Sequence, residues 1–178
     1  MEGHKIILSD FLNFVKGKNA ITNILDAGSG RTSLSTIVNT FPNTIIDAVV
    51  YPGDQRKICS IKEIAENSKN INLIEKDICS EIIVKEYDII IAHLLLGEAA
   101  KFGNAFKNLL EKVVTMKYKY LIIINYLEDP AVSEKSIVEI CEKYNLNVIN
   151  KSYVANDKPQ VWEDFVGKHN FGYLIKRL

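Results

Sequence analysis

Residues 24–33 read ILDAGSGRTS, and they are the most informative part of the sequence. An apolar run reaches Asp26, glycines follow at Gly28 and Gly30, and a helix is expected to begin just after them. A glycine-rich turn lets the backbone approach a ligand without a Cβ atom in the way, and the start of the next helix offers free N–H groups to an anion. The stretch therefore predicts a strand, a ligand-binding turn and a helix, although the two glycines would equally suit a turn without a ligand.

Outward from this stretch, short runs rich in Ile, Val and Leu alternate with amphipathic segments of helical spacing. This alternation is typical of a parallel sheet, and apolar residues on both faces of a strand indicate helices on both sides. Seven strands are predicted, at residues 23–27, 44–51, 71–76, 87–93, 118–126, 147–153 and 171–177. We expect an α/β fold: a three-layer α/β/α sandwich with a doubly wound, mostly parallel seven-stranded sheet.

The two ends of the chain need separate treatment. The segment from Tyr153 to Phe171 has no clear helical face, so the last strand is expected to return antiparallel to the others. Aromatic residues in this long loop, such as Trp162 and Phe165, would line an acceptor pocket or pin the loop to the domain. At 178 residues without a linker or repeat, residues 1–178 form one predicted domain, and the helical segment at 1–20 has its helix from about Ser9 to Lys18.

Composition excludes several classes of protein. The 22 Lys and Arg residues balance the 22 Asp and Glu residues, so no overall positive field attracts the chain to nucleic acid. Three cysteines without a CxxC spacing predict neither a disulfide framework nor a metal site, and they favour a reducing, cytoplasmic location. The longest apolar runs are too short to cross a bilayer, so no membrane partner is expected.

The pattern over Ile24–Gly30, two apolar residues followed by Asp-x-Gly-x-Gly, resembles motif I of the class I S-adenosylmethionine (SAM)-dependent methyltransferases. A dinucleotide fingerprint has Gly or Ala where this chain has Ser33, and it does not include Asp26. The third glycine that is usual in the methyltransferase motif is replaced by Thr32. The resemblance implies that SAM is the cofactor and that Asp26, Gly28 and Gly30 bind it.

The ends of the second and third predicted strands extend the resemblance. In the family, an acidic residue after the second strand binds the ribose hydroxyls, which implies this role for Asp54 with Tyr51 beside it and leaves Asp47 as the second candidate. The third strand leads into Asp77 and Ile78, which the resemblance assigns to the adenine amino group and the adenine ring. Asp54 and Asp77 would equally serve as N-caps of helices that follow them, the second starting near Cys79.

The fourth predicted strand and its continuation, YDIIIAHLLLGE at 87–98, resemble the motif whose end faces the methyl group in the family. This implies that His93 lies beside the cofactor. A general base is needed only if the acceptor is a poor nucleophile at neutral pH, and His93 is the first candidate because imidazole titrates in that range. Glu98 is the second candidate, and a buried core histidine is the alternative interpretation of His93.

The function implied by the resemblance is methyl transfer from SAM, with S-adenosylhomocysteine as product. The acceptor is expected to be a small molecule rather than RNA, and the family's Asn-Pro-Pro-Tyr and Pro-Cys signatures of DNA methylation are absent. The protein is expected to be a monomer or a homodimer. Two alternatives remain open: an NAD(P)-binding oxidoreductase of the same architecture, and a methyltransferase-like protein that binds SAM without catalysis.

Overall fold

The computed structural model describes residues 2–81, 83–101 and 106–177, and within these ranges seven strands form one sheet. The strands are β1 (Asn23–Ala27), β2 (Ile45–Val50), β3 (Ile71–Glu75), β4 (Tyr87–His93), β5 (Tyr118–Tyr126), β6 (Asn147–Val161) and β7 (Val166–Lys176). Their order across the sheet is β3-β2-β1-β4-β5-β7-β6. The first five are parallel to one another, and β7 is antiparallel to both β5 and β6. The predicted mostly parallel sheet with an antiparallel last strand is confirmed.

Helices cover both faces of the sheet. They are α1 (Gly3–Lys16), α2 (Arg31–Thr40), α3 (Gln55–Glu66), α4 (Leu95–Lys101), α5 (Phe106–Thr115) and α6 (Glu134–Lys143). The apolar residues of α1, α2 and α3 form one hydrophobic core with one face of the sheet, and those of α4, α5 and α6 form a second core with the other face. The predicted three-layer α/β/α sandwich is therefore confirmed. None of the described helices has the length and apolar character that crossing a membrane requires.

The central strands are apolar on both faces because each supplies both cores. All seven residues of β4 are buried. Ile89 and Ile91 pack with α1–α3, whereas Ile90 and Ala92 pack with α4–α6. Because successive side chains of a strand point to opposite faces, a strand between two helical layers needs this continuous apolar run.

The prediction for the C-terminal strands was wrong in their length. The segment expected to be a long loop between Tyr153 and Phe171 is mostly strand, and β6 and β7 form a long hairpin in which Val161 pairs with Val166. Only residues 162–165 connect the two strands. Much of β6 is exposed because it lies at the edge of the sheet. Its many polar residues give no apolar run, so the sequence pattern did not predict the full strand.

The predicted start of the N-terminal helix was also wrong. Helix α1 begins at Gly3 rather than near Ser9, and its buried face extends from His4 through Leu8 to Val15. A histidine belongs to the buried face of the first turn, so apolar spacing alone could not locate the start of the helix. The earlier start places His4 against the end of β4.

Candidate active site

The turn between β1 and α2 has the conformation that a glycine requires. Gly28 has a φ of +73°, and a Cβ atom on it would lie 2.4 Å from Leu95 Cδ1. Gly30 is different, because the atom nearest to a Cβ there would be Lys57 Cε, at 3.9 Å. Gly28 thus allows the turn to pass close to α4, whereas Gly30 leaves space at the N-terminus of α2.

Asp26 lies buried beneath this turn. Its Oδ2 accepts hydrogen bonds from Ser29 Oγ (2.6 Å) and Ser33 Oγ (2.7 Å). Its Oδ1 is buried and has no hydrogen-bond partner among the described residues. Burial raises the pKa of Asp26 to about 6, although the two serine hydroxyls act in the opposite direction. A buried carboxylate oxygen without a partner is costly, so the site favours a donor or a cation that would complete it.

The sequence did not identify either serine as a partner of Asp26. Ser33 departs from a dinucleotide fingerprint, and only the oxidoreductase alternative gives it a role, beside a pyrophosphate with Gly28 and Gly30. In the structure its Oγ donates to Asp26 and accepts from the backbone N–H of Gly30 at 3.1 Å. The signal in the sequence is the spacing of these residues. Ser29 lies within the glycine turn and Ser33 lies three residues after Gly30, so both hydroxyls are close enough to reach Asp26.

A cleft of about 230 Å³ opens beside the turn, and we call it the main cleft. Its walls come from the carboxyl ends of β1, β2 and β3, from the starts of α3 and α4, and from the β6–β7 connection. They consist of Gly28, Val49, Tyr51, Asp54, Lys57, Lys76, Asp77, Ile78, Cys79, Leu95, Glu98, Ala99 and Trp162. In open α/β sheets, ligands bind at this edge, where the strand order reverses between β1 and β4.

The structure brings most of the sequence-predicted residues to this edge. The main cleft includes Gly28, Tyr51, Asp54, Asp77, Ile78 and Glu98. Gly30 and His93 line an adjacent cleft, and Asp26 lies beneath the glycine turn between the two. Residues from four separate parts of the chain therefore meet where the parallel strands end.

Asp54 and Asp77 both have local structural roles in addition to lining the cleft. Asp54 is the N-cap of α3, and its Oδ1 accepts from the backbone N–H of Lys57 at 2.9 Å. Asp77 accepts from the backbone N–H of Cys79 and from Ser80 Oγ, both at 2.9 Å. Burial opposes ionisation of Asp77, but these hydrogen bonds outweigh it and its pKa falls below the usual range.

The helix predicted to start near Cys79 is wrong. Residues 77–80 form a turn that the Asp77 side chain closes, which is the typical Asx arrangement. Asp47, the second candidate for the ribose, lies away from the cleft. Its carboxylate accepts from Asn72, Lys85 and Tyr87, so it holds β2, β3 and the start of β4 together.

The adjacent cleft, of about 260 Å³, is called the second cleft here. It shares Gly28, Lys57, Glu98 and Trp162 with the main cleft and reaches the start of α1. Lys57 Nζ and Glu98 Oε2 lie 2.5 Å apart at the border of the two clefts. Glu98, the second candidate for a general base, therefore has its carboxylate paired with a lysine in the structure.

His93 ends β4 and is 7% exposed. Its Nε2 lies 2.9 Å from Nδ1 of His4, a residue that was not identified from the sequence. Burial, followed by the positive charges of His4, Lys57 and Lys5, lowers the pKa of His93 to about 3. The expectation that His93 titrates near neutral pH is therefore wrong, because burial keeps the ring uncharged. At physiological pH it is neutral, with a lone pair on one ring nitrogen.

The backbone immediately after His93 is strained. Leu94 has a φ of +58°, which is rare for a residue with a branched side chain, and its N–H donates to the carbonyl of Ile124 at 2.8 Å. Such strain persists only where the surrounding structure enforces it, and it is common at functional sites. Here it turns the chain from β4 into α4, and Leu94 lines the second cleft.

Aromatic residues close the far side of the second cleft. The ring of Tyr126 lies 5.8 Å from that of Trp162 and 5.6 Å from that of Phe165, measured between centroids. Trp162 also lines both clefts. The β6–β7 connection is thus pinned by the same aromatic residues that form part of the cleft wall.

Comparison with known proteins matches the chain by structure and not by sequence. No family sequence model and no curated protein matches it. The N-methyltransferase NodS from Bradyrhizobium japonicum WM9, solved in complex with S-adenosylhomocysteine, aligns with a TM-score of 0.73 at 11% identity, covering 96% of this chain and 85% of NodS.

Two further solved structures give the same result. An S-adenosylmethionine-dependent methyltransferase from Clostridium acetobutylicum ATCC 824 aligns with a TM-score of 0.66 at 14% identity, covering 96% of this chain and 91% of the other. The 1,6-didemethyltoxoflavin-N1-methyltransferase of Burkholderia thailandensis aligns with a TM-score of 0.72 at 13% identity, covering 99% and 79%. The chain therefore has the fold of the class I SAM-dependent methyltransferases.

Proposed function

We propose that this protein is a SAM-dependent methyltransferase that acts on a small-molecule acceptor and releases S-adenosylhomocysteine. The observation that carries the proposal is the turn at Gly28, which lines the same cleft as the carboxylates of Asp54 and Asp77 and the apolar side chain of Ile78. The fold of the chain and the methyltransferases that share it support the same conclusion.

The groups in the clefts fit the chemistry of SAM. Its ribose hydroxyls and adenine amine are hydrogen-bond donors, which Asp54 and Asp77 would accept, with Tyr51 and Ile78 beside the sugar and the ring. Its ammonium group would complete the unpartnered Oδ1 of Asp26. When bound, SAM supplies a methyl group on a positively charged sulfur, so the protein has to position the acceptor and exclude water.

The second cleft supports a small molecule as acceptor. Aromatic side chains wall it on one side, and charges of both signs surround it, from Glu2 and Glu98 to Arg31 and Lys57. RNA binding depends on a positively charged surface that faces the phosphate backbone, and these balanced charges do not provide one.

The free cysteines Cys59, Cys79 and Cys141 support a cytoplasmic location.

An NAD(P)-binding oxidoreductase is disfavoured by the position of Asp26. A dinucleotide places its pyrophosphate at the glycine turn, directly above a buried carboxylate that already has one unpartnered oxygen. A pyrophosphate and an ionised Asp26 would repel each other strongly in this buried environment. A protein that binds SAM without catalysis would share every cofactor contact and differs from the proposal only in turnover.

Calorimetric titration of the protein with SAM, S-adenosylhomocysteine and NAD tests the proposal. We expect heat of binding from both sulfur compounds, with micromolar dissociation constants, and none from NAD. Asp77→Asn should weaken S-adenosylhomocysteine binding, whereas Asp10→Asn, on the exposed face of α1, serves as the matched control and should not. Binding of NAD in place of the sulfur compounds would contradict the proposal.

A further inference from the structure

Three titratable side chains form a row that leads from the protein surface to the second cleft. The carboxylate Oε2 of Glu2 lies 3.4 Å from His4 Nε2, and His4 Nδ1 lies 2.9 Å from His93 Nε2. His4 and His93 are 5% and 7% exposed, whereas the Glu2 side chain is 38% exposed. All three line the second cleft.

The carboxylate at the outer end of the row favours one arrangement of the ring protons. Glu2 Oε2 pairs with Lys5 Nζ at 2.7 Å and also lies near His4 Nε2. Because an ionised carboxylate only accepts hydrogen bonds, it favours the His4 tautomer with the proton on Nε2. In this tautomer, His4 Nδ1 has a lone pair that accepts a hydrogen bond from the N–H of His93 Nε2, 2.9 Å away. In neutral His93 this leaves Nδ1 without a proton.

We propose that Glu2, His4 and His93 form a proton relay for the methylation reaction, with His93 Nδ1 as the group that receives the acceptor's proton. This inference rests on the proposed function. In the reaction, an acceptor nitrogen or oxygen forms a bond to the methyl carbon, the carbon–sulfur bond breaks with its electron pair on sulfur, and the acceptor loses a proton. His93 takes up that proton on Nδ1 and gives its Nε2 proton to His4 Nδ1, which leaves the positive charge on His4 beside Glu2.

The surroundings disfavour a positive charge more strongly on His93 than on His4. Burial lowers the pKa of His93 to about 3, and His4, Lys57 and Lys5 act in the same direction. Burial also lowers the pKa of His4 and Lys5 adds to this effect, but Glu2 acts in the opposite direction. The ring of Tyr126 packs edge-on against His4 with centroids 6.1 Å apart, and its phenol stays neutral because burial raises its pKa to about 12.

The relay also restricts the class of acceptor. A tertiary amine or a thioether has no proton to lose, so the relay would not accelerate its methylation. A hydroxyl, a phenol or a primary or secondary amine must lose a proton when it is methylated. The relay therefore assigns the acceptor to small molecules with a hydroxyl or an N–H group.

Nitrogen-15 NMR of the histidine rings tests the relay without any acceptor. The chain has three histidines, and the third, His169, pairs with Glu128 on the surface and acts as an internal reference. Long-range proton–nitrogen spectra distinguish the tautomers of a neutral ring. We expect His93 to be neutral from about pH 5 to 8 with its proton on Nε2, and His4 with its proton on Nε2 when neutral.

Two variants of the row separate its parts. Glu2→Gln replaces an acceptor with a group that also donates, so both tautomers of His4 should become populated. His4→Asn offers an amide oxygen close to the position of Nδ1, so His93 should keep its tautomer although the proton can no longer pass on. Glu128→Gln is the matched control, because it removes a carboxylate from His169 and should leave His4 and His93 unchanged.

The outcomes distinguish the relay from the proposed function. A His93 protonated on Nδ1, or a His4 tautomer that does not respond to Glu2→Gln, overturns the relay even if S-adenosylhomocysteine binds normally. Failure of S-adenosylhomocysteine to bind overturns the proposed function whatever the tautomers are.

An activity assay tests the relay during the reaction. With labelled SAM, the rate of methylation of a small phenol or secondary amine should fall on the order of 10²-fold in His4→Asn and in His4→Phe. Methylation of a tertiary amine or a thioether would contradict the assigned acceptor class.

Discussion

Each end of the sheet contains a buried carboxylate, and the two carboxylates differ in how many of their oxygens have hydrogen-bond partners. At the amino end, Asp88 of β4 accepts hydrogen bonds from the backbone N–H and hydroxyl of Thr22 and from the backbone N–H of Asn23, and it pairs with Lys119 at 2.5 Å. At the carboxyl end, Asp26 of the neighbouring β1 has two serine donors for one oxygen, and no described residue donates to the other.

The pKa values follow this difference in partners. Burial alone would raise the pKa of Asp88, but Lys119, Thr22 and Asn23 overcome it and lower the pKa to about 2. At Asp26 the effect of burial prevails, and the pKa rises to about 6. The amino end uses its carboxylates to hold strands together, whereas the carboxyl end keeps an unsatisfied group where a ligand would satisfy it.

Gly28→Val should have the largest effect, because it disturbs the carboxyl end directly. The new side chain would collide with Leu95 in a backbone conformation that disfavours it, and we expect a loss of about 2–4 kcal/mol in the free energy of unfolding together with loss of SAM binding. Thermal unfolding and calorimetric titration measure the two effects. Gly17→Ala, where the nearest atoms lie 3.7 Å from the added Cβ, is the control and should change neither. Retained affinity in a folded Gly28→Val protein would remove this turn from the cofactor site.

Asp88→Asn tests the amino end. The pKa of Asp88 lies below its ordinary value of 3.8, so its ionisation stabilises the fold at pH values above about 4, and that stabilisation is lost as the pH falls towards 2. We expect Asp88→Asn to lower the free energy of unfolding by about 2 kcal/mol at neutral pH, measured by urea denaturation. Affinity for S-adenosylhomocysteine should not change, and a drop in affinity would show that the two ends are coupled.

Asp26→Asn should have the opposite effect on stability. Because the native pKa of Asp26 is raised to about 6, the folded state holds its proton more tightly, and stability falls as the pH rises from about 4 to about 6. Removing this charge should raise the free energy of unfolding by on the order of 1 kcal/mol at neutral pH and flatten its pH dependence in that range. The same variant should bind SAM more weakly. Unchanged affinity would mean that the unpartnered oxygen has no role in binding.

A smaller effect is expected from separating the two roles of Asp54. Asparagine is as good an N-cap as aspartate, whereas alanine is not. Asp54→Ala should therefore lose about 1 kcal/mol of stability, and Asp54→Asn should lose little. Both should weaken S-adenosylhomocysteine binding in calorimetric titration, the alanine variant more strongly. Equal affinity in all three proteins would leave Asp54 as a helix cap alone.

Local sequence patterns predicted the features that depend on neighbouring residues. The strand, turn and helix around Gly28 follow from a few adjacent positions, and the layers follow from strands that are apolar on both faces. The contact of His4 with His93 joins residues 89 positions apart, and no local pattern contains it. The length of β6 was missed for a related reason, since an edge strand buries too little surface to leave an apolar pattern.

Amide hydrogen exchange with and without S-adenosylhomocysteine tests the division between the two ends most directly. We expect the ligand to slow exchange at residues 28–34, 51–57 and 77–80, which surround the main cleft. Residues 19–23 and 117–119, at the amino end, should exchange at the same rate with and without it. Protection at the amino end, or no protection around the main cleft at a saturating concentration of ligand, would show that the two ends are not divided in this way.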